Sequence, residues 1–182
     1  MEWLVNHKRR KLFNYESKDS ICQDALIIIL ESQLNEPTKY DSIDQLCWAW
    51  IEYDEIGKCR DKYKQKFKSK GVLEGKEKGY LDHVIPRKVI VNKLIETKSG
   101  DLTKKFVIDI FTKYVIGCLI TKKENEKLDN GFRSSMPEWF YSCDHHEGNL
   151  ESLVWGRYIE AEIEVYEILA NDLKNPVKAT IK

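Results

Sequence analysis

The adjacent pair Asp82-His83 carries the two kinds of side chain that hydrolytic chemistry uses. It lies in the segment 81–87, which reads LDHVIPR. A neutral imidazole has a pKa of about 6.5 and can therefore take a proton from water near neutral pH. A carboxylate oxygen is the ligand that a hard divalent cation such as Mg²⁺ prefers. His83 is therefore the candidate general base, and Asp82 is the first candidate metal ligand.

The elements around this pair must bring both side chains to one site. Residues 80–85 are predicted to form a short strand that ends at Pro86, and Pro86 is well placed to begin a helix that runs through Glu96. Neighbouring residues on a strand point to opposite faces. Asp82 and His83 can therefore serve one site only if the chain bends where the strand ends.

A second strand and a helix are predicted further along the chain. A helix is predicted over 101–114, and the compact apolar run 115–120 then indicates a strand. Thr121 suits a helix N-cap, and Glu124 three residues later would complete a capping box. The helix that follows is predicted over 122–129, with its end near Asn130-Gly131.

This order of elements resembles the HNH family of nucleases, also called ββα-metal or His-Me finger enzymes. The resemblance depends on Asp-His-Val-Ile-Pro after the first strand and on Thr-Lys-Lys-Glu-Asn at the start of the last helix, and it covers about residues 79–130. The helical insertion between the strands and the run 135–139 (SMPEW) resemble a bacterial subgroup associated with restriction and phage defence. The resemblance implies an α+β fold, in which a small ββα-metal finger is embedded in a mainly α-helical domain.

The resemblance also implies hydrolysis of phosphodiester bonds in DNA, with RNA left open, and it assigns roles by position. Asn125 stands where many relatives have a histidine, so it is the expected second metal ligand. Its amide oxygen favours Mg²⁺ or Mn²⁺ over Zn²⁺ or Ni²⁺. Thr121 corresponds to the family's middle residue, which orients the base or closes the finger, although it can also serve only as a cap. Arg87 and Lys123 are expected to hold the scissile phosphate.

The charges of the chain are balanced in number but not in position. Thirty basic residues face thirty acidic ones. A basic cluster occupies 7–11, seven basic residues lie in 58–70 beside one acid, and the last third of the chain is acidic. Basic clusters neutralise phosphates without regard to sequence, although such runs also occur as solvated helix faces. The residues predicted to contact nucleic acid are Lys62, Lys64, Lys66, Lys68 and Lys123.

Three regions are predicted along the chain, and together they are expected to form one compact domain. Region 1–78 is a helical N-terminal part with basic segments, 79–130 is the HNH core, and 131–182 contains an aromatic loop and an acidic C-terminal helix. Within them we predict a helix over 19–35 that Pro37 helps to stop. A second helix is expected from near Asp41-Ser42 into the lysine-rich segment, and a long amphipathic helix over 149–173.

Composition and cysteine pattern place the chain in a reducing, aqueous compartment. The longest apolar run, 25–30, is too short to span a bilayer, and the N-terminus has no signal-peptide pattern. The five cysteines are scattered without a Cys-x-x-Cys motif, so neither a disulfide framework nor a structural zinc site is indicated. We expect a cytoplasmic protein with reduced thiols and no membrane partner.

Three alternatives remain open at this stage. The segment 143–149 (CDHHEGN) is rich in potential metal ligands. Its Asp144-His145-His146 run is a polar loop that caps a helix, a contributor to the site at Asp82-His83, or the main catalytic site itself. The HNH scaffold can also be catalytically degenerate and bind nucleic acid or a partner protein. Its C-terminal helix would then be a docking element. In an active nuclease, the same helix would join the chain to a second copy or to a companion defence protein. Finally, Asp82-His83 can be a coincidence in an unrelated α-rich protein.

Overall fold

Helices and one mixed β-sheet make up the described part of the chain. The computed structural model describes residues 18–30, 33–52, 65–75, 79–142, 153–168 and 177–178. The helices are α1 (Lys18–Leu30), α2 (Glu36–Glu52), α3 (Lys70–Glu74), α4 (Arg87–Glu96), α5 (Lys104–Tyr114), α6 (Lys122–Phe132), α7 (Glu138–Ser142) and α8 (Gly156–Glu160). The strands are β1 (Phe67–Ser69), β2 (Tyr80–His83), β3 (Gly117–Ile120), β4 (Val165–Glu167) and β5 (Val177–Lys178). The predicted α+β class is confirmed.

The described residues fall into two compact units. The first is helical and contains α1, α2, α5 and α4 from Ile90 onward. In it α1 packs against α2 and α5. The rings of Trp50 and Phe111 meet edge to face, with centroids 5.3 Å apart. At the surface of this unit, the Lys104 ammonium donates to the Asp19 carboxylate at 2.5 Å. Apolar burial therefore holds this unit together, and its exposed ion pair adds little.

The start of α2 differs from the prediction, which placed it near residue 41. The helix begins at Glu36, and residues 33–35 form a turn instead of continuing α1. The Asn35 side chain accepts a hydrogen bond from the Thr38 backbone N–H at 2.9 Å, which is an N-cap contact. Pro37 lies in the first turn, where its missing N–H has no helical partner to lose. Pro37 therefore helps to begin α2, and the prediction that it helps to stop α1 was wrong.

The second unit is built on the mixed sheet, whose strand order is β2-β3-β1-β4-β5. β1 runs parallel to β3 and antiparallel to β4, and the outer pairs β2–β3 and β4–β5 are antiparallel. All four residues of β3 are buried. The sheet therefore draws strands from both sides of the segment 79–130, because β1 and β4 lie outside it.

The order of elements expected within 79–130 is confirmed. β2 and β3 pair antiparallel, with Asp82 opposite Cys118 and His83 opposite Gly117. β2 ends at His83, and the chain bends at Val84 and Ile85 before α4 begins directly after Pro86. The helix predicted over 101–114 begins three residues later than expected, at Lys104, and α6 follows β3 after a single residue.

The predicted long helix over 149–173 was wrong in its described part. α8 ends at Glu160, and β4 follows it and pairs with β1. Ile163 and Val165 are buried while Glu164 between them is exposed, which is the period of two that a strand requires. Glu162 has a positive φ of 53°, a backbone conformation that cannot continue a helix. The apolar spacing of this segment fitted a helix and a strand, and pairing with β1 decided between them.

The predicted extension of the second helix into the lysine-rich segment was wrong at 67–69, which forms β1. Residues 53–64, and with them Lys62 and Lys64, lie outside the described residues. The basic cluster 7–11 and the Asp144-His145-His146 segment lie outside them as well.

The capping box predicted at the start of α6 is confirmed. The Thr121 hydroxyl accepts a hydrogen bond from the Glu124 backbone N–H, and the Glu124 carboxylate accepts one from the Thr121 backbone N–H at 2.7 Å. The same Glu124 oxygen accepts a hydrogen bond from the Ser69 hydroxyl at 2.6 Å. Since Ser69 ends β1 and caps α3, Glu124 joins α6 to the centre of the sheet. α6 continues past the predicted end, through Gly131 to Phe132.

We expect Thr121→Val to lower the free energy of unfolding by about 1–2 kcal/mol, because it keeps the shape of the side chain and removes the cap. Urea denaturation followed by circular dichroism measures the change. The matched control is Thr112→Val on the exposed face of α5, for which we expect a change within about 0.5 kcal/mol. Equal losses in the two variants would contradict the role of the capping box.

Candidate functional site

Asp82, the first candidate metal ligand, is held by two donors from α8. Its Oδ2 atom accepts a hydrogen bond from Arg157 Nη2 at 2.5 Å and another from the Tyr158 hydroxyl at 2.7 Å. Burial raises the pKa of the Asp82 carboxyl above its ordinary value, while Arg157 and Tyr158 act in the opposite direction by favouring the charged form. One oxygen of Asp82 is therefore engaged by protein, and a cation would bind through Oδ1.

Arg157 is 2% exposed, and all three of its nitrogens donate hydrogen bonds. Nε donates to the Val84 carbonyl at 3.1 Å, and Nη1 donates to the Phe132 carbonyl at 2.8 Å. Nη2 donates to the His83 carbonyl at 2.7 Å in addition to Asp82. A planar guanidinium can satisfy such divergent acceptors at once. Arg157 therefore links the end of β2 and the end of α6 to α8.

His83, the candidate base, lies inside the second unit. Its side chain is 6% exposed, and neither ring nitrogen is accessible to solvent. A general base must come within hydrogen-bond distance of the proton that it takes. In this conformation water cannot reach either nitrogen of the His83 ring. Proton transfer from water requires the covering residues to move.

Asn125 on α6 is the candidate second ligand, and it is partly exposed. Its Nδ2 donates to Asp129 Oδ2 at 3.1 Å, so its carbonyl oxygen is the end of the amide that Asp129 does not engage. Asp129 lies close enough to Asp82 for its charge to contribute to the raised pKa of the Asp82 carboxyl. The negative charge of Asp129 on α6 thus acts on the Asp82 carboxyl group. Asp129 itself was not predicted from the sequence.

These donors suit some metals and not others. Asp82 and Asn125 offer oxygen atoms, and Mg²⁺ is commonly held by one or two protein oxygens while it keeps several waters. Within the described ranges, no three His, Cys, Asp or Glu side chains are grouped so that they could hold a metal ion. A structural zinc site takes four protein ligands. The described donors therefore fit a partly hydrated Mg²⁺ or Mn²⁺ better than a structural zinc.

The remaining predicted site residues are Thr121, Arg87 and Lys123. The Thr121 hydroxyl donates to the Glu124 carboxylate at 2.9 Å and accepts from the Glu124 backbone, so it serves as the cap that was one of its two predicted roles. Arg87 is the first residue of α4 and is half-buried, and Lys123 is exposed in the first turn of α6. Their contact with a phosphate stays a prediction.

Residues of the basic and acidic segments form ion pairs at the ends of the neighbouring strands β1 and β4. Lys66 Nζ lies 2.6 Å from Glu167 Oε1, and Lys70 Nζ lies 3.7 Å from Glu164 Oε1. Lys68 lies on β1 between them and is half-buried. Exposed ion pairs of this kind stabilise a fold by about 1 kcal/mol at most. Lys66 is paired with Glu167 within the fold, and the contact of Lys66 and Lys68 with nucleic acid stays a prediction.

The sequence did not single out Arg157 and Tyr158 as site residues. Their one local signal is a lone arginine between aromatic residues in an otherwise acidic segment. Gly156 beside them lets α8 approach closely, because a Cβ atom there would lie 3.0 Å from the Trp139 ring. The Trp139 Nε1 atom donates a hydrogen bond to Glu160 at 2.8 Å. The Trp139 ring therefore contacts the first residue of α8, Gly156, and the last, Glu160. Met136 and Trp139 of the run 135–139 thus lie against α8 at Gly156.

Comparisons of the chain with models of protein families, with curated proteins and with solved structures each found no match. Among the helices of the described ranges, none is both long enough and apolar enough to cross a membrane.

We expect Arg157→Met to lower the free energy of unfolding by about 3–5 kcal/mol, because the substitution leaves the buried Asp82 charge without its cation. Urea denaturation measures this loss. Arg133→Met is the matched control: Arg133 is exposed on the surface beside α6 and lies 4.0 Å from Asp129. Its substitution should cost less than about 1 kcal/mol. A cost for Arg157→Met no greater than that of the control would show that the buried ion pair contributes nothing net.

Proposed function

We propose that the chain is a metal-dependent endonuclease of the HNH type that hydrolyses phosphodiester bonds of DNA. The observation that carries the proposal is the position of Asp82 and His83 at the end of β2, with the Asn125–Asp129 pair of α6 close enough for its charge to act on Asp82. The antiparallel pair β2–β3 followed at once by α6 is the ββα order that the family resemblance implies.

Each residue of the site has a defined task in this reaction. Asp82 and Asn125 supply oxygen ligands, and a Mg²⁺ or Mn²⁺ ion held there would supply positive charge for the leaving oxygen. His83 takes a proton from water at a ring nitrogen. The oxygen of that water then forms a bond to phosphorus while the bond from phosphorus to the 3′ oxygen breaks. Arg87 and Lys123 hold the phosphate in place.

The biological setting in this proposal comes from the family resemblance. It is a restriction or phage-defence system in the cytoplasm, with a companion defence protein or a second copy of the chain as partner. Lys66 and Lys68 would contact the DNA backbone after exchange of their exposed ion pairs. Binding through such contacts weakens as salt rises, because it releases counterions from the phosphates.

The direct test is nicking of supercoiled plasmid in the presence of Mn²⁺ or Mg²⁺. We expect His83→Ala to lower the rate by about 10²–10⁴-fold, which is the range for loss of a general base. We also expect Asn125→Ala to lower it by about 10–100-fold, while Asn130→Ala on the exposed face of the same helix leaves it unchanged. Undiminished cleavage by His83→Ala would end the assignment of the base.

The second candidate function is a non-catalytic HNH scaffold that binds nucleic acid or a partner protein. The observation that favours it is the covered His83 ring together with the engagement of Asp82 by Arg157 and Tyr158. A scaffold of this kind has no need of a metal or of access to the imidazole.

Metal binding separates the two functions. If the chain is a nuclease, Mn²⁺ at about 100 times its Kd should stabilise the folded protein by about 2.7 kcal/mol and raise Tm. Asn125→Ala should reduce this rise, and Asn130→Ala should not. Thermal denaturation with and without Mn²⁺ measures both. Equal Tm values with and without the ion, in a protein that still binds DNA, would favour the scaffold.

A further inference from the structure

We propose that Arg157 and Tyr158 are positioning residues, which orient the Asp82 carboxylate and connect the end of β2 to α6, the two elements that carry the proposed metal ligands. The inference rests on the proposed nuclease function and extends it to two residues of α8. Neither residue is assigned a reacting group. Both act through the residues that they bind.

The first step of the argument concerns two consecutive carbonyl groups. In a regular strand, successive carbonyls point to opposite sides. Here the carbonyls of His83 and Val84 both accept hydrogen bonds from Arg157, at 2.7 Å and 3.1 Å. The backbone must therefore turn between them, and the Val84 N–H bond to the Ile116 carbonyl at 2.9 Å holds the turn from the other side. The turn ends β2 directly after His83, and Arg157 therefore holds the end of the strand that carries Asp82.

The second step concerns the orientation of the Asp82 carboxylate. Arg157 and Tyr158 donate to the same oxygen, Oδ2, at 2.5 Å and 2.7 Å. Two donors that bind the same oxygen restrict the rotation of the carboxylate group. They therefore fix the direction in which the other oxygen, Oδ1, points. Partners that bind a metal ligand in this way commonly change metal affinity by about 10–100-fold when they are removed.

The third step concerns α6. Arg157 Nη1 donates to the carbonyl of Phe132, the last residue of α6, at 2.8 Å. One buried guanidinium therefore contacts both the end of β2, the strand that carries Asp82, and the helix that carries Asn125. Lysine cannot replace it, because three donors on one ammonium lack the planar fork that reaches acceptors in different directions. A lysine at this position would keep the positive charge but could not bind the acceptors on β2 and on α6 at the same time.

The test compares Arg157→Lys and Tyr158→Phe with two matched controls, Arg133→Lys and Tyr166→Phe. Both control side chains have charged partners at the surface. Arg133 Nε lies 4.0 Å from Asp129 Oδ1, and the Tyr166 hydroxyl donates a hydrogen bond to Glu164 at 3.3 Å. The measurements are kcat and KM for plasmid nicking at saturating Mn²⁺, and the Kd for Mn²⁺ itself. We expect Arg157→Lys to lower kcat and weaken Mn²⁺ binding by at least about tenfold, with KM for DNA within about twofold of wild type. Tyr158→Phe should give a smaller loss of the same kind, and the controls none.

The outcomes separate this inference from the proposed function. A wild-type chain that neither binds Mn²⁺ nor cleaves DNA would overturn both. An active wild type, with kcat and Mn²⁺ affinity unchanged in Arg157→Lys and Tyr158→Phe, would overturn the inference alone. A raised KM with unchanged kcat would make these residues part of the DNA contact and would also overturn it. If Arg157→Lys does not fold, Tyr158→Phe decides, since it removes a single hydroxyl; an unchanged kcat there rejects the positioning role.

Discussion

The burial of the Arg157 guanidinium is the constraint on which the second unit depends. Removing a cation from water costs several kcal/mol even after the protein relaxes, and only close and complete pairing offsets that cost. Asp82 supplies the opposite charge, and three backbone carbonyls supply the remaining acceptors. These acceptors come from the end of β2 and the end of α6, so neither element can shift without leaving a buried charge partly unpaired. The same requirement that stabilises the unit also determines where its candidate site lies.

Local signals in the sequence predicted the elements around the site because short-range chemistry decides them. Pro86 marks the end of β2 and the start of α4, and the pair Thr121 and Glu124 marks the start of α6 through contacts within one helical turn. Pro37 was assigned to the end of α1, and Asn35 was placed inside the predicted helix 19–35. The sequence there contains the N-cap of α2, and the order of residues alone, Asn before Pro, would have allowed the correct assignment.

The rest of the fold and site depends on contacts between distant residues, and residue spacing does not specify them. β4 is a strand because β1 lies beside it, although its apolar residues also fit a helix. Asp82 and His83 could be chosen from their chemistry, and the need for a bend after them could be stated. The residue that holds the bend lies 75 positions further along the chain than Asp82. Burial of His83 is likewise a property of the assembled unit and not of the segment around it.

The order in which the strands meet has a consequence for synthesis of the chain on the ribosome. β1 lies at the centre of the sheet, yet both of its neighbours, β3 and β4, come much later in the sequence. As the chain emerges, β1 has two open edges until β3 appears and one until β4 appears, and open edges invite pairing with other chains. Contacts this far apart in sequence also form slowly. β1 is only three residues long, which limits that hazard, and Lys66 and Lys70 beside its two ends carry the charge that disfavours pairing of open edges.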